Sequence, residues 1–244
     1  MLFSLSQKSL LSYELYLSAS TRANLFRKLS PASLTVLRLS GECSLLPEMR
    51  TPRLKHLVIT NVTGNFFDQT SFEQCFAGAD LESFAYALGN RIAFEIRDKH
   101  LVSLANVLGP NLRKLVLLHC SRLSSATLEN CLRSFLQLQY LALSITTVEE
   151  QRVNFVLSIP TTVSTLKLRV INAWYAAPLL TEERRMCDAI ESHVLCREPP
   201  PKLVALHFRP LLTQTEGRQD KWESMAHSNN FKLCTGPWED VEEL

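Results

Sequence analysis

A search of the chain for residues able to do chemistry finds little that is catalytic. The seven glycines are scattered singly, so no glycine-rich loop can cradle a phosphate, and GxSxG and HExxH are missing too. The best metal-ligand spacing is Cys187, His193 and Cys196, written CxxxxxHxxC. It matches no common zinc pattern, and its offsets do not share one face of the predicted helix, so buried thiols and a surface histidine explain it better. His119 beside Cys120 suggests a reactive thiol, but Cys120 is read as a core residue. Carboxylates are abundant without a pair that stands out as acid and base. The expectation is a protein that is not an enzyme and holds no cofactor or metal. A basic set remains: Arg38, His56, Lys114, Lys167, Arg169, His207 and Arg209. Arginine forks onto carboxylate or phosphate, so the chemistry these residues could do is the capture of an anion.

The elements that must position that set are written most clearly from Asn111 to Leu143, NLRKLVLLHCSRLSSATLENCLRSFLQLQYLAL. Leu112, Leu115 and Leu117 form LxxLxL, and the pattern returns at Leu138, Leu141 and Leu143. This is the signature of a leucine-rich repeat. The clearer motifs start at 34, 54, 81, 112, 138, 163 and 203. One repeat cannot bury its leucines alone. Stacking would set Leu115 between Phe84 and Leu141 and join the ladder into one core. The expected fold is α/β, a right-handed leucine-rich-repeat solenoid or horseshoe, with a parallel concave sheet and convex helices. An ordinary doubly wound α/β fold is the alternative. Against it, the strands carry spaced leucines rather than continuous apolar runs.

Strands alternate their side chains with a period of two. The third, fifth and seventh residues of each motif therefore face away from the core: Val36, Arg38, Ser40; His56, Val58, Thr60; Ser83, Ala85, Ala87; Lys114, Val116, Leu118; Tyr140, Ala142, Ser144; Thr165, Lys167, Arg169; and Ala205, His207, Arg209. None is acidic, although the whole chain carries 26 Lys plus Arg against 24 Asp plus Glu. The reading is a face for an acidic or phosphorylated protein partner, with Val116, Leu118 and Tyr140 supplying apolar contact. The plain alternative is that short strands simply carry soluble side chains outward. Nucleic acid is a poorer fit, because the basic positions lack an aromatic series for base stacking.

Between the strands, helical spacing predicts helices over Thr21 to Leu29, Asp68 to Ala79, Asp98 to Leu108 (Asp98 as N-cap, Gly109 and Pro110 as the stop), Leu128 to Phe135, Thr147 to Leu157 behind a capping box, Thr181 to Cys196, and Lys221 to Ser228. One domain over 1–244 is expected, with a long helix-bearing insert at 170–202 and an acidic tail at 235–244 whose end, EDVEEL, frays. The composition, 46% hydrophobic with a net charge of +2, suits a globular core and points globally to neither nucleic acid nor membrane. No apolar run is long enough to span a bilayer. Seven cysteines form no tight framework, and a reduced cytoplasmic or nuclear setting follows. The Asn61-Val62-Thr63 sequon is then without consequence.

The run LRKLVLLHCSRLSSATLENCL resembles the cysteine-containing leucine-rich repeats of F-box proteins, with Leu112, Leu115, Leu117, Cys120, Leu123 and Leu128 at the repeat's fixed positions. The irregular spacing and the close in Phe231-Lys232-Leu233-Cys234 are similar to fungal F-box and leucine-rich-repeat proteins. The resemblance implies a substrate receptor of a cullin-RING ubiquitin ligase, whose F-box docks on a Skp-type adaptor. No F-box is found: Leu46-Pro47-Glu48-Met49 resembles its opening, yet the strand LKHLVI comes at once. Adaptor binding is therefore expected only if an F-box lies upstream, and a stand-alone scaffold is the other reading.

Overall fold

The structure is a computed structural model, described over residues 11–15, 22–24, 32–44, 51–64, 66–76, 78–89, 93–147, 153–173 and 180–239. Each LxxLxL motif becomes a strand because its alternate leucines need a common buried side. The strands are β1 (Ser12–Leu15), β2 (Arg22–Asn24), β3 (Val36–Ser44), β4 (His56–Thr63), β5 (Ser83–Ala87), β6 (Lys114–Cys120), β7 (Tyr140–Thr147), β8 (Thr165–Asn172), β9 (Leu203–His207) and β10 (Lys232–Thr235). They pair in chain order, β1-β3-β4-β5-β6-β7-β8-β9-β10, with β2 also on β3, and every pairing is parallel. The protein is α/β around this all-parallel sheet.

Register is set by the motif. Leu37, Leu57, Phe84, Leu115, Leu141, Leu166 and Val204 align across successive strands, and all are buried. Leu39, Ile59, Tyr86, Leu117, Leu143, Leu168 and Leu206 make a second buried row. A one-residue slip would turn both rows to the other face, so burial fixes the pairing. Leu115 does lie between Phe84 and Leu141. Cys120 is fully buried in the same core, and burial pushes its thiol well above the ordinary value. It is a packing residue.

The connecting helices cover the face on which these rows lie. They are α1 (Phe66–Gln69), α2 (Phe72–Phe76), α3 (Asp98–Leu108), α4 (Ser125–Ser134), α5 (Leu180–Ala189) and α6 (Arg218–Ser228). Phe72, Leu101, Leu104, Leu128, Leu132, Met186 and Trp222 join the leucine rows in one core, as the three- and four-residue spacing requires. α3 and α4 lie side by side, and Asp98 Oδ1 accepts the Ser124 N–H at 2.8 Å. Ser124 in turn caps α4, its Oγ accepting from Thr127 N at 3.2 Å.

Several predicted boundaries are corrected. The helix expected over Asp68 to Ala79 is two short helices. Ser71 Oγ accepts from Gln74 N at 3.2 Å and Ser71 N donates to Gln74 Oε1 at 3.1 Å, a capping box that restarts the chain at Phe72. Asp98 is not an N-cap: Arg97 holds that place, and its N–H bonds His100 Nδ1 at 3.0 Å. Gly109 stays right-handed (φ −51) and enters a 3-10 turn, Gly109–Asn111. Within Thr21 to Leu29, residues 22–24 form β2 because they pair with Glu42–Ser44. Leu25, Phe26 and Leu29 lie outside the described residues.

Thr147 ends β7 rather than capping a helix, and residues 148–152 lie outside the described residues. The next element is a 3-10 turn, Phe155–Ser158, that buries Phe155 and Val156 and leaves Leu157 exposed. In the insert, α5 runs into a π-helical turn, Ile190–Leu195, that still buries the predicted Ile190 and Val194. There Glu191 accepts from Arg218 Nη1 at 2.8 Å and Trp222 Nε1 at 2.9 Å, and it also meets Lys221. The insert is thereby tied to α6. No helix among the described residues is long and apolar enough to cross a membrane.

Candidate partner-binding face

The sheet face turned away from the helices carries the predicted binding residues in three rows. The first runs Val36, His56, Ser83, Lys114, Tyr140, Thr165. The middle row runs Arg38, Val58, Ala85, Val116, Ala142, Lys167, Ala205. Near the strand ends, Ser144, Arg169 and His207 align.

The structure separates these residues by role. Val116 and Leu118, expected as exposed apolar contacts, are 0% and 2% exposed. They form a second core with Val58, Ala85, Ala142, Ala205 and Trp238, and Tyr140 packs at its margin. They are thus a floor enclosed by the chain's own residues rather than an exposed patch, for a physical reason. Small residues on flanking strands let a central valine be enclosed by its own row, and an aromatic residue from elsewhere covers the rest.

Above this floor stands Tyr140. Lys114 Nζ lies 5.2 Å and Lys167 Nζ 5.9 Å from its ring centre, both within cation–π range. Tyr140 therefore links two strands' worth of positive charge into one patch. His56 is exposed in the first row. Arg38 lies toward the β1 edge, its Nε 3.2 Å from Glu14 Oε1, with both side chains well exposed.

The remaining three cations are engaged by acids that lie outside the motifs. Arg209 is held by the insert and by β8. Its Nε donates to both Glu183 oxygens at 2.7 Å, and its Nη2 meets Asn172 Oδ1. Glu183, only 2% exposed, sits in the first turn of α5. Burial pushes its carboxyl up, against the pull of Arg209. Arg209, assigned to the binding face from the sequence, thus fastens the insert to the sheet.

Arg169 and His207 stay on the face and share one carboxylate. Glu239 Oε1 lies 2.7 Å from Arg169 Nε and 3.1 Å from His207 Nδ1. Burial acts to raise the Glu239 carboxyl. Hydrogen bonds from backbone N–H groups and His207, with the Arg169 charge, outweigh it and hold the carboxyl below the usual range. Glu239, the first residue of the EDVEEL end expected to fray, is instead docked, and residues 240–244 lie outside the described residues. Trp238 and Glu239 are the residues of this candidate face that the sequence reading missed. The only sequence signal for them is an aromatic–acid pair next to a glycine and a proline.

The discarded metal trio is dispersed: Cys187 is buried, Cys196 exposed, and His193 Nε2 sits 3.2 Å from Ile159 O. Among the described residues no group of three His, Cys, Asp or Glu is placed to hold a metal.

No family model, no curated protein and no solved structure matches the chain.

Proposed function

We propose that the chain is a leucine-rich-repeat solenoid that recognises a protein partner, and that an acidic segment of this partner lies on the face away from the helices. The strand order supports the solenoid reading. Right-handed crossovers between strands paired in sequence put every helix on one side. Helices are about 10 Å wide and parallel strands about 4.8 Å apart, so a one-sided helix layer bends the sheet away from itself. Alanines at 85, 142 and 205 suit the crowded inside of such a bend.

One observation carries the functional reading. The outward motif positions bring Lys114, Lys167, Arg169 and His207 together with no acidic residue among those positions, and the carboxylate that meets Arg169 and His207 arrives from beyond the motifs. In fluorescence anisotropy, a labelled poly-glutamate peptide should bind the full chain, more weakly as salt rises. Lys114→Glu with Lys167→Glu should weaken it at least ten-fold at an unchanged unfolding midpoint. Equal binding by that double variant would overturn the proposal.

The wider role as the substrate arm of a cullin-RING ubiquitin ligase rests on the resemblance of Asn111 to Leu143 to F-box receptors. Co-purification of a Skp-type adaptor and a cullin with the full-length gene product tests it. A stand-alone scaffold, the alternative, would bring down neither.

A further inference from the structure

The segment after β10 behaves unlike a chain end laid down at random. Gly236 has φ +114, a left-handed conformation that favours glycine, and its N–H donates to Leu206 O at 3.0 Å. Pro237 fixes the next step. Trp238 then enters the apolar floor at 8% exposure, and Glu239 reaches the Arg169–His207 pair. An aromatic anchor beside a charge clamp is the arrangement by which a groove holds a short peptide. We infer that Gly236–Glu239 is a ligand carried in cis, and that the partner it stands in for presents an aromatic residue immediately followed by a carboxylate. This rests on the acidic-partner reading above and narrows it to a two-residue motif.

The docked segment is held less well than it could be. The Trp238 indole N–H is buried and meets no acceptor among the described residues. An unmet donor takes back part of what burying the ring gains. Tethering compensates, because a segment a few residues from its site competes at an effective concentration on the order of millimolar. The result is a face whose Arg169–His207 end is occupied in cis and opens to a partner that supplies both anchors, while Lys114 and Lys167 lie outside the clamp.

The test uses the full chain with Trp238→Ala and Glu239→Ala, and a labelled peptide of residues 235–244, TGPWEDVEEL. Anisotropy should show the peptide binding this variant at least ten-fold more tightly than the unaltered chain. The same peptide with Trp and its following Glu changed to Ala should bind neither. Adding Arg169→Glu to the variant should abolish binding. Glu239→Gln alone leaves the ring in place and should admit the peptide to an intermediate degree, which keeps the test decisive if the double variant folds poorly. Equal affinity for variant and unaltered chain would overturn cis occupancy. Binding of poly-glutamate without binding of TGPWEDVEEL would overturn the aromatic–acid motif and leave the acidic-partner reading intact. Binding of neither peptide would remove both.

Discussion

Leu115→Ala probes the stacked rows at their centre. Leu115 is 1% exposed, and its register neighbours Phe84 and Leu141 are both fully buried. Losing three carbon atoms forfeits about 2.5 kcal/mol of transfer free energy, at about 0.8 kcal/mol per carbon. The cavity adds to this, because β6 is hydrogen-bonded on both sides and cannot move inward to close it. The total should be about 3–5 kcal/mol, in the upper part of the range for buried leucines. Urea unfolding followed by circular dichroism gives the difference directly. Leu136→Ala is the control, since Leu136 is 68% exposed and its loss should stay within about 0.5 kcal/mol. If the two variants unfold at the same midpoint, Leu115 is not enclosed between its neighbours, and the row register proposed for the whole sheet is wrong.

Two further outcomes separate structural charges from surface ones. Arg209→Ala leaves the Glu183 carboxylate, 2% exposed, buried without its cation, and should cost about 3–5 kcal/mol in the same unfolding assay. Arg38→Ala breaks an exposed pair and should cost about 1 kcal/mol or less; similar losses would refute the division of roles drawn between them. Acid should act through His100, which is 2% exposed against Phe72 and Phe94. Its Nδ1 accepts from Arg97 N and its Nε2–H donates to Phe67 O, each at 3.0 Å, so a second proton would break the Arg97 bond. Burial holds its imidazole below the ordinary value, with Lys99 and Arg97 adding to this and Asp68 opposing. A depressed histidine stabilises the fold above its unfolded value, about 6.5, and that share is lost as pH falls through the folded value. The unfolding temperature should therefore drop between pH 7 and pH 5.5, and His100→Gln should flatten that slope; an unchanged slope would refute the assignment.

The sheet was legible in the sequence because its information is local and repeated. Leu34, Leu54, Leu81, Leu112, Leu138 and Val163 each begin a motif, and all are fully buried; a period of two then fixes the remaining inward residues. The helices were legible in part. Those with a clean stripe, such as Leu128, Cys131 and Leu132, formed where expected, whereas the capping box at Ser71 and the pairing of Arg22–Asn24 with β3 overrode helical spacing elsewhere. The candidate face was the least legible, and the reason is sequence distance. Its outward cations could be enumerated strand by strand, but their partners could not: Glu183 precedes Arg209 by 26 residues and Glu239 follows His207 by 32, and neither lies in a motif. Val116 shows the same effect without charge. The period of two places it outward correctly, yet it is fully buried, because Ala85 and Ala142 flank it and the floor that includes Trp238 closes around it. Periodicity tells which side of a sheet a residue takes. Whether that side meets solvent is decided by whatever else the chain, or a partner, brings to cover it, and on this face the chain itself supplies an indole and a carboxylate.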